Sequence, residues 1–221
     1  MRTMALAILS ALGSALPLRA ILFAAADSWG GPVWWVYLGL LLAFTVVAPF
    51  LVDPGLIRER VRPGPGGKDY FTALVLGPLW VGQFIVAGLD ASRLHWGDTV
   101  QLALQIVGLV AVAAGLSVVV WAMAINRFFS SVIRIQRDRG HHVVTTGPYR
   151  FVRHPGYAAA FLVFVGGGLA LGSWLAVLVG VLMCVPILRR TVREDRTLRQ
   201  ELEGYAQYAE KVRYRLIPGI W

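Results

Sequence analysis

His141-His142-Val143-Val144-Thr145-Thr146-Gly147-Pro148-Tyr149-Arg150-Phe151-Val152-Arg153-His154-Pro155-Gly156-Tyr157 is polar, basic and rich in turn formers, yet long apolar runs flank it on both sides. Polar residues held against a bilayer are costly and therefore either anchor a protein or do chemistry. Two imidazoles, a third imidazole next to a proline, two tyrosines and two arginines are more specialised residues than an anchor needs. The stretch thus fixes the fold class through its neighbours and the candidate site through itself.

The neighbours read as membrane spans. The chain is 57% hydrophobic and only 15% charged, with a mean hydropathy of +0.64, whereas a soluble domain carries about a quarter charged residues. A spanning helix needs about 20 apolar residues. Such segments run from Met4 to Ala26, Pro32 to Val52, Tyr70 to Leu89 and Val100 to Ile125. Pro17 and Arg19 interrupt the first, so an interfacial first segment and five spans is the alternative to six. The last block, Tyr157 to Leu188, is too long for one straight span and carries Gly166, Gly167, Gly168, Gly172 and Ser173 in its middle. It divides near Gly172 into a tight helical hairpin with a short first helix. The fold class expected is all-α, a polytopic integral membrane protein of about six transmembrane helices.

Charge sets the orientation. All but two of the 21 Lys and Arg residues fall on the side that holds both termini and the even-numbered connections; the exceptions are Arg19 and Arg93. The positive-inside rule makes that side cytoplasmic. The same rule accounts for the net charge of +9 better than nucleic-acid binding does, because the basic residues sit at the ends of apolar segments. Trp29, Trp34, Trp35, Trp96 and Trp174 gather near the outer ends, where indoles favour the interface. Cys184 stands alone in an apolar run and reads as a small buried hydrophobe. The N-terminal run lacks a clear cleavage site and reads as a retained helix. Gln83, Gln101 and Gln105 read as polar glue between helices. Residues 1–126 form the N-terminal transmembrane part and residues 127–221 the part with the polar loop, hairpin and tail.

A second polar element follows the hairpin: Arg190-Thr191-Val192-Arg193-Glu194-Asp195. A tight hairpin returns the chain to the face it left, so this element meets the His141–Tyr157 loop at the membrane boundary. Arg190 and Glu194 share one helix face. Beyond them Leu198, Leu202, Tyr205 and Tyr208 recur at helical spacing, suggesting an amphipathic tail helix ended by Pro218 and packed on the membrane or on the loop.

The order His-x-Val-Val-Thr-x-Gly-x-Tyr-x-x-x-Arg-His-Pro-x-Tyr, then Arg-x-x-x-Glu-Asp, then Gly-Tyr-x-x-Tyr (Gly204 to Tyr208) resembles the isoprenylcysteine carboxyl methyltransferase family. Membrane phospholipid methyltransferases share parts of it. The resemblance covers residues 136 to 218; the N-terminal half shares only its apolar spans. It implies S-adenosylmethionine as methyl donor, bound at the cytosolic face, and a lipid-like or hydrophobic acceptor. Its cofactor-binding positions fall on His141, His142, Val143, Val144, Tyr149, His154, Pro155, Gly156, Tyr157 and Glu194, with Gln136 as a further position. Arg190 matches the arginine that faces the acceptor. Asp195 stands where the family often has glutamate.

The residue types suit that chemistry. A carboxylate such as Glu194 bonds an ammonium group, and loop N–H groups near Gly147 receive a carboxylate. Aromatic rings stack on adenine or lie near a sulfonium. Methyl transfer is an in-line displacement governed by alignment and exclusion of water. No metal-ligand spacing stands out. Structural readings also exist: Pro155 can open a helix, Arg153 can anchor it, and Arg190–Glu194 can be a surface ion pair. The acceptor stays open among a prenylcysteine carboxylate, a phospholipid amine and a small thiol. From other classes, a transporter should show an inverted repeat and mid-membrane charge, which this chain lacks; a non-catalytic scaffold would tolerate changes throughout the loop.

Overall fold

The structure, a computed structural model, describes residues 20–26, 30–65, 67 and 69–221. Among these residues the chain is all-α, without a β-strand. Residues 20–26 are helical. Helix α1 spans Pro32–Leu51, α2 Pro54–Val61, α3 Tyr70–Leu89, α4 Leu102–Ile125, α5 Pro155–Ala170, α6 Trp174–Glu201 and α7 Tyr205–Lys211. A π-helical turn, Asp90–Leu94, extends α3. Among the described residues four helices are long and apolar enough to cross a bilayer: α1, the segment Phe71–Leu94, α4 and α6. The shorter α5 completes the hairpin. Most of the first expected span lies outside the described residues. The other five appear close to their sequence-derived limits, except that the last helix continues beyond Leu188 to Glu201, and the chain is an integral membrane protein.

Local signals explain the boundaries. Proline occupies the first turn of α1, α2 and α5, where its missing N–H costs nothing. Asp53 caps α2, its Oδ1 accepting from Leu56 N at 3.1 Å. The hairpin turns at Gly172 with φ of +80°, a conformation suited to glycine. Ser173 then caps α6 by accepting from Ala176 N.

Small residues let the helices close. A Cβ on Gly108 of α4 would lie 2.6 Å from the Gly166 oxygen of α5, and one on Gly180 of α6 would lie 2.3 Å from the Phe164 oxygen. Without a hydrophobic force between helices in lipid, such contact supplies the packing. Gln83 glues α3 to the hairpin, donating to the oxygens of Phe164 and Ala176 at 2.8 and 2.9 Å. Gln105 instead bonds locally to Val100 O, and Gln101 sits exposed at the start of α4. The lipid-facing sides expose Leu74, Val110 and Leu178, as a bilayer permits.

The end of the bundle remote from the polar loop is pinned by Asp90. Its carboxylate accepts from the backbone of Trp96 and Gly97 and from the Ser173 hydroxyl. Trp34 differs from its expected interfacial role. It is buried, and its indole donates to Leu171 O at 2.9 Å, tying α1 to the hairpin tip.

Candidate functional site

The opposite end is built around the segment between α4 and α5. Asn126 ends α4 and immediately serves the loop: its Oδ1 accepts from Phe128 N and its Nδ2 donates to the Tyr149 hydroxyl at 3.1 Å. Gln136 is fully buried inside the loop. It donates to Phe128 O at 2.7 Å and accepts from Arg139. Its neighbour Arg134 meets Glu59 of α2 in a buried, two-pronged pair. A turn over Gly147–Arg150 then presents Tyr149, and Pro155 starts α5.

The tail clamps this loop. Arg153 N and His154 N donate to the oxygens of Tyr214 and Arg215, and the Arg153 guanidinium reaches Val212 O and Arg213 O. Tyr208 donates to Tyr149 O at 2.7 Å. Asp195 is the hub. Buried on α6, it accepts from Arg153, Arg199, Arg215 and Tyr205, and His154 Nε2 lies 3.4 Å away. The tail is not one helix to Pro218. Helix α6 ends at Glu201, Gly204 turns the chain with φ of +79°, and α7 stops at Lys211. Leu198, Leu202, Tyr205 and Tyr208 nevertheless form one apolar cluster with Ile135 and Val143 of the loop.

Between loop, α5 and α6 opens a narrow cleft of about 60 Å³. Among its walls are His141, Tyr149, His154, Pro155, Gly156, Tyr157 and Glu194. A smaller crevice shares Asn126, His141 and Tyr149 with it and adds His142, Val143 and Val144. Ten of the twelve sequence-derived positions therefore meet around two adjoining spaces. Gln136 and Arg190 do not line them. The side chain of Gln136 is committed to the loop. Arg190 stands behind Tyr157, its Nε donating to the Tyr157 hydroxyl at 2.6 Å and its Nη2 to Ser131 O at 2.9 Å. Tyr157 in turn donates to Glu194.

Sequence reading missed Asn126, Phe128, Phe129, Ser130, Thr197 and Leu198, which also line the cleft. Apart from Asn126 at the end of an apolar span and Leu198 in the helical spacing of the tail, they carry no distinctive spacing. Phe128 packs against both imidazoles, with ring centres 4.5 Å from His141 and 4.9 Å from His142. Phe129 lies so close to Gly156 that a Cβ there would meet the ring at 2.4 Å. His154 and Tyr157 stack at 5.7 Å. Burial, and next charge repulsion with the neighbouring His142, Arg134 and Arg139 side chains, lower the His141 pKa to about 4, so its imidazole is neutral at neutral pH. Burial also raises the Tyr149 phenol well above its usual range, keeping it a neutral donor.

Residues 103–203 match the phospholipid methyltransferase family. The chain is 29% identical over 86 residues to a protein-S-isoprenylcysteine O-methyltransferase of Schizosaccharomyces pombe, which covers 38% of this chain and 36% of that protein. It is 31% identical over 89 residues to a probable protein-S-isoprenylcysteine O-methyltransferase of Oryza sativa subsp. indica, covering 39% and 47%. The matches thus span less than half the length of either relative. A solved structure of a eukaryotic intramembrane Ras methyltransferase, an isoprenylcysteine carboxyl methyltransferase, aligns over 92% of this chain and 73% of its own with a TM-score of 0.49 and 18% identity. Residues 103–203 are thus similar in sequence to the phospholipid methyltransferase family, and a stretch of under 90 residues is similar to the isoprenylcysteine O-methyltransferases.

Proposed function

We propose that this protein is an integral membrane methyltransferase that uses S-adenosylmethionine and acts on a lipid-like acceptor. The observation that carries the reading is the convergence of Glu194, three imidazoles and a set of aromatic rings on a cleft and the crevice adjoining it, at the basic end of the helical bundle. The positive-inside rule supports a cytoplasmic position for that end and for the C-terminus.

The lining of the cleft carries groups suited to those of the donor. S-adenosylmethionine carries an ammonium, a carboxylate, an adenine and a sulfonium, and when bound it supplies an electrophilic methyl group. Glu194 is the acceptor-only group for the ammonium. One of its oxygens is engaged by Tyr157, and the side chain is about a quarter exposed toward the cleft. Phe128, Tyr149 and Tyr157 offer ring faces for adenine and for the positive sulfonium. A neutral His141 adds a polar edge without a repelling charge. The walls contributed by Phe129, Ile133, Ile135 and Leu198 exclude water from the transfer line. No residue needs to act as a strong base if the acceptor is already a carboxylate. Arg190, one side chain behind Tyr157, adds positive potential that favours such an acceptor at this end of the cleft.

The acceptor follows the relatives: a prenylcysteine carboxylate is the first choice and a phospholipid amine the second. In proteoliposomes with methyl-labelled S-adenosylmethionine, the reading predicts label in an S-prenylated N-acetylcysteine. Label in phosphatidylethanolamine alone would select the second acceptor. Label in neither, with folded protein and added lipid, contradicts the reading.

A further inference from the structure

Asp69 comes from the N-terminal half, outside the matched motifs, yet it reaches the candidate site. It precedes α3 with φ of +84° and ψ of +52°, a left-handed conformation that Asp and Asn tolerate better than other side chains. Its carboxylate is wholly enclosed. Oδ2 accepts from the Thr72 hydroxyl at 2.6 Å. Oδ1 lies 3.3 Å from Arg189 and 3.4 Å from Arg193, and Oδ2 lies 3.6 Å from Arg190 Nη1. One buried carboxylate therefore faces three guanidinium groups of α6.

Arg190 has another carboxylate within reach. Glu194 is four residues from Arg190 on the same helix, the spacing at which opposite charges pair directly. They do not pair closely: Arg190 Nε is 3.9 Å from Glu194, with the Tyr157 hydroxyl bonded to both. The rest of the guanidinium is held on its other side, Nη2 by Ser131 O and Nη1 by the charge of Asp69. A guanidinium presents its donors in a fixed fork, so holding Nη1 and Nη2 fixes the direction of Nε.

We infer that Asp69 is a positioning residue that holds Arg190 turned away from Glu194, so that the Glu194 carboxylate stays open to the ammonium group of the methyl donor. The inference rests on the proposed use of the cleft. Without the negative charge at residue 69, the Arg190 guanidinium has Glu194 as its adjacent carboxylate. Arg190 then closes the gap and occupies the oxygen that the ammonium needs.

The test is calorimetric titration of S-adenosylmethionine into full-length protein in lipid nanodiscs. Four proteins are compared: wild type, Asp69→Asn, Arg190→Gln and the double variant. Asparagine keeps the left-handed backbone and an acceptor for Thr72 while removing the charge. Asp69→Asn should weaken binding about tenfold or more, the scale of one charge-assisted hydrogen bond. In the Arg190→Gln background the same change should have no effect, because no guanidinium remains at residue 190 to close on Glu194. Equal weakening in both backgrounds would mean a merely structural role and overturn the inference, as would unchanged binding by Asp69→Asn. If Asp69→Asn does not fold, Thr72→Val, which loosens the carboxylate without removing it, should weaken binding in the same direction, and unchanged binding there overturns the inference. Absence of binding by wild type overturns the cofactor reading and this inference with it; binding by wild type that ignores residue 69 overturns this inference alone.

Discussion

Glu59 grips Arg134 through two hydrogen bonds, Nε to Oε1 at 2.8 Å and Nη2 to Oε2 at 2.7 Å, with both side chains almost wholly enclosed. The pair ties α2 of the N-terminal half to the loop that forms one wall of the cleft. Glu59 also receives the Ser130 hydroxyl and Gly64 N, and its pKa is held down chiefly by the hydrogen bond from Arg134. Removing one partner of a buried pair costs about 3–5 kcal/mol because the other is left uncompensated. Arg134 keeps Asp138, so Glu59→Ala should fall at the lower end of that range. Thermal unfolding in nanodiscs should show it, together with weaker donor binding; an unchanged melting temperature would remove the pair from the account.

Adjacent carboxylates on α6 should behave differently. Glu194 opens to the cleft, whereas Asp195 gathers Arg153, Arg199, Arg215 and Tyr205. Glu194→Ala should keep the melting temperature and lose donor binding. Asp195→Ala should release the tail, lowering stability by at least about 3 kcal/mol and making residues 204–221 sensitive to protease. Equal protease resistance in the two variants would contradict the division of roles.

His141 gives the site a pH dependence. Its pKa, lowered to about 4 in the folded protein from an ordinary 6.5, means that the unfolded chain binds more protons between these values. The contribution of neutral His141 is fully present above pH 6.5 and is lost as pH falls toward 4. A protonated imidazole would also repel the sulfonium and ammonium groups, so donor affinity should fall as pH drops through the folded-state value of about 4. Histidine-selective NMR should place the His141 midpoint well below 6.5, and His141→Asn should flatten that part of the affinity profile. A midpoint near 6.5 would contradict the burial argument.

Helix contact at Gly108 and Gly166 sets the spacing of α4 and α5, and thereby the distance from Asn126 to Pro155 across the cleft. Gly108→Val adds atoms where a Cβ already meets backbone at 2.6 Å. The expected loss is about 1–3 kcal/mol or more, the range for overpacking, read by thermal unfolding against Gly39→Ala, where a Cβ meets nothing within 4 Å.

Much of this arrangement is legible in the residue order because its signals are local. The hairpin at Gly172 shows in a glycine run within an overlong apolar block, and the His141–Tyr157 loop shows in its contrast with its flanks. The basic end shows in charge placement. What escapes has long-range causes. Glu59 and Asp69 find their partners 75 and 120 residues away, and neither lies in a motif. Phe128 and Phe129 look like the fraying end of α4 until the loop folds back over them. The tail pattern reads as one helix because Leu198, Leu202, Tyr205 and Tyr208 keep helical spacing, yet Gly204 breaks the backbone while the cluster persists. Trp34 shows the same limit: its position near a helix end is readable, its inward turn toward Leu171 is not.

The most direct test of the central claim is S-adenosylmethionine binding to purified protein by calorimetry, with Glu194→Ala measured alongside and its fold checked by thermal unfolding. The account predicts saturable, one-site binding by wild type and its loss in a folded Glu194→Ala variant. Equal binding by both proteins, or none by folded wild type in lipid, would contradict it.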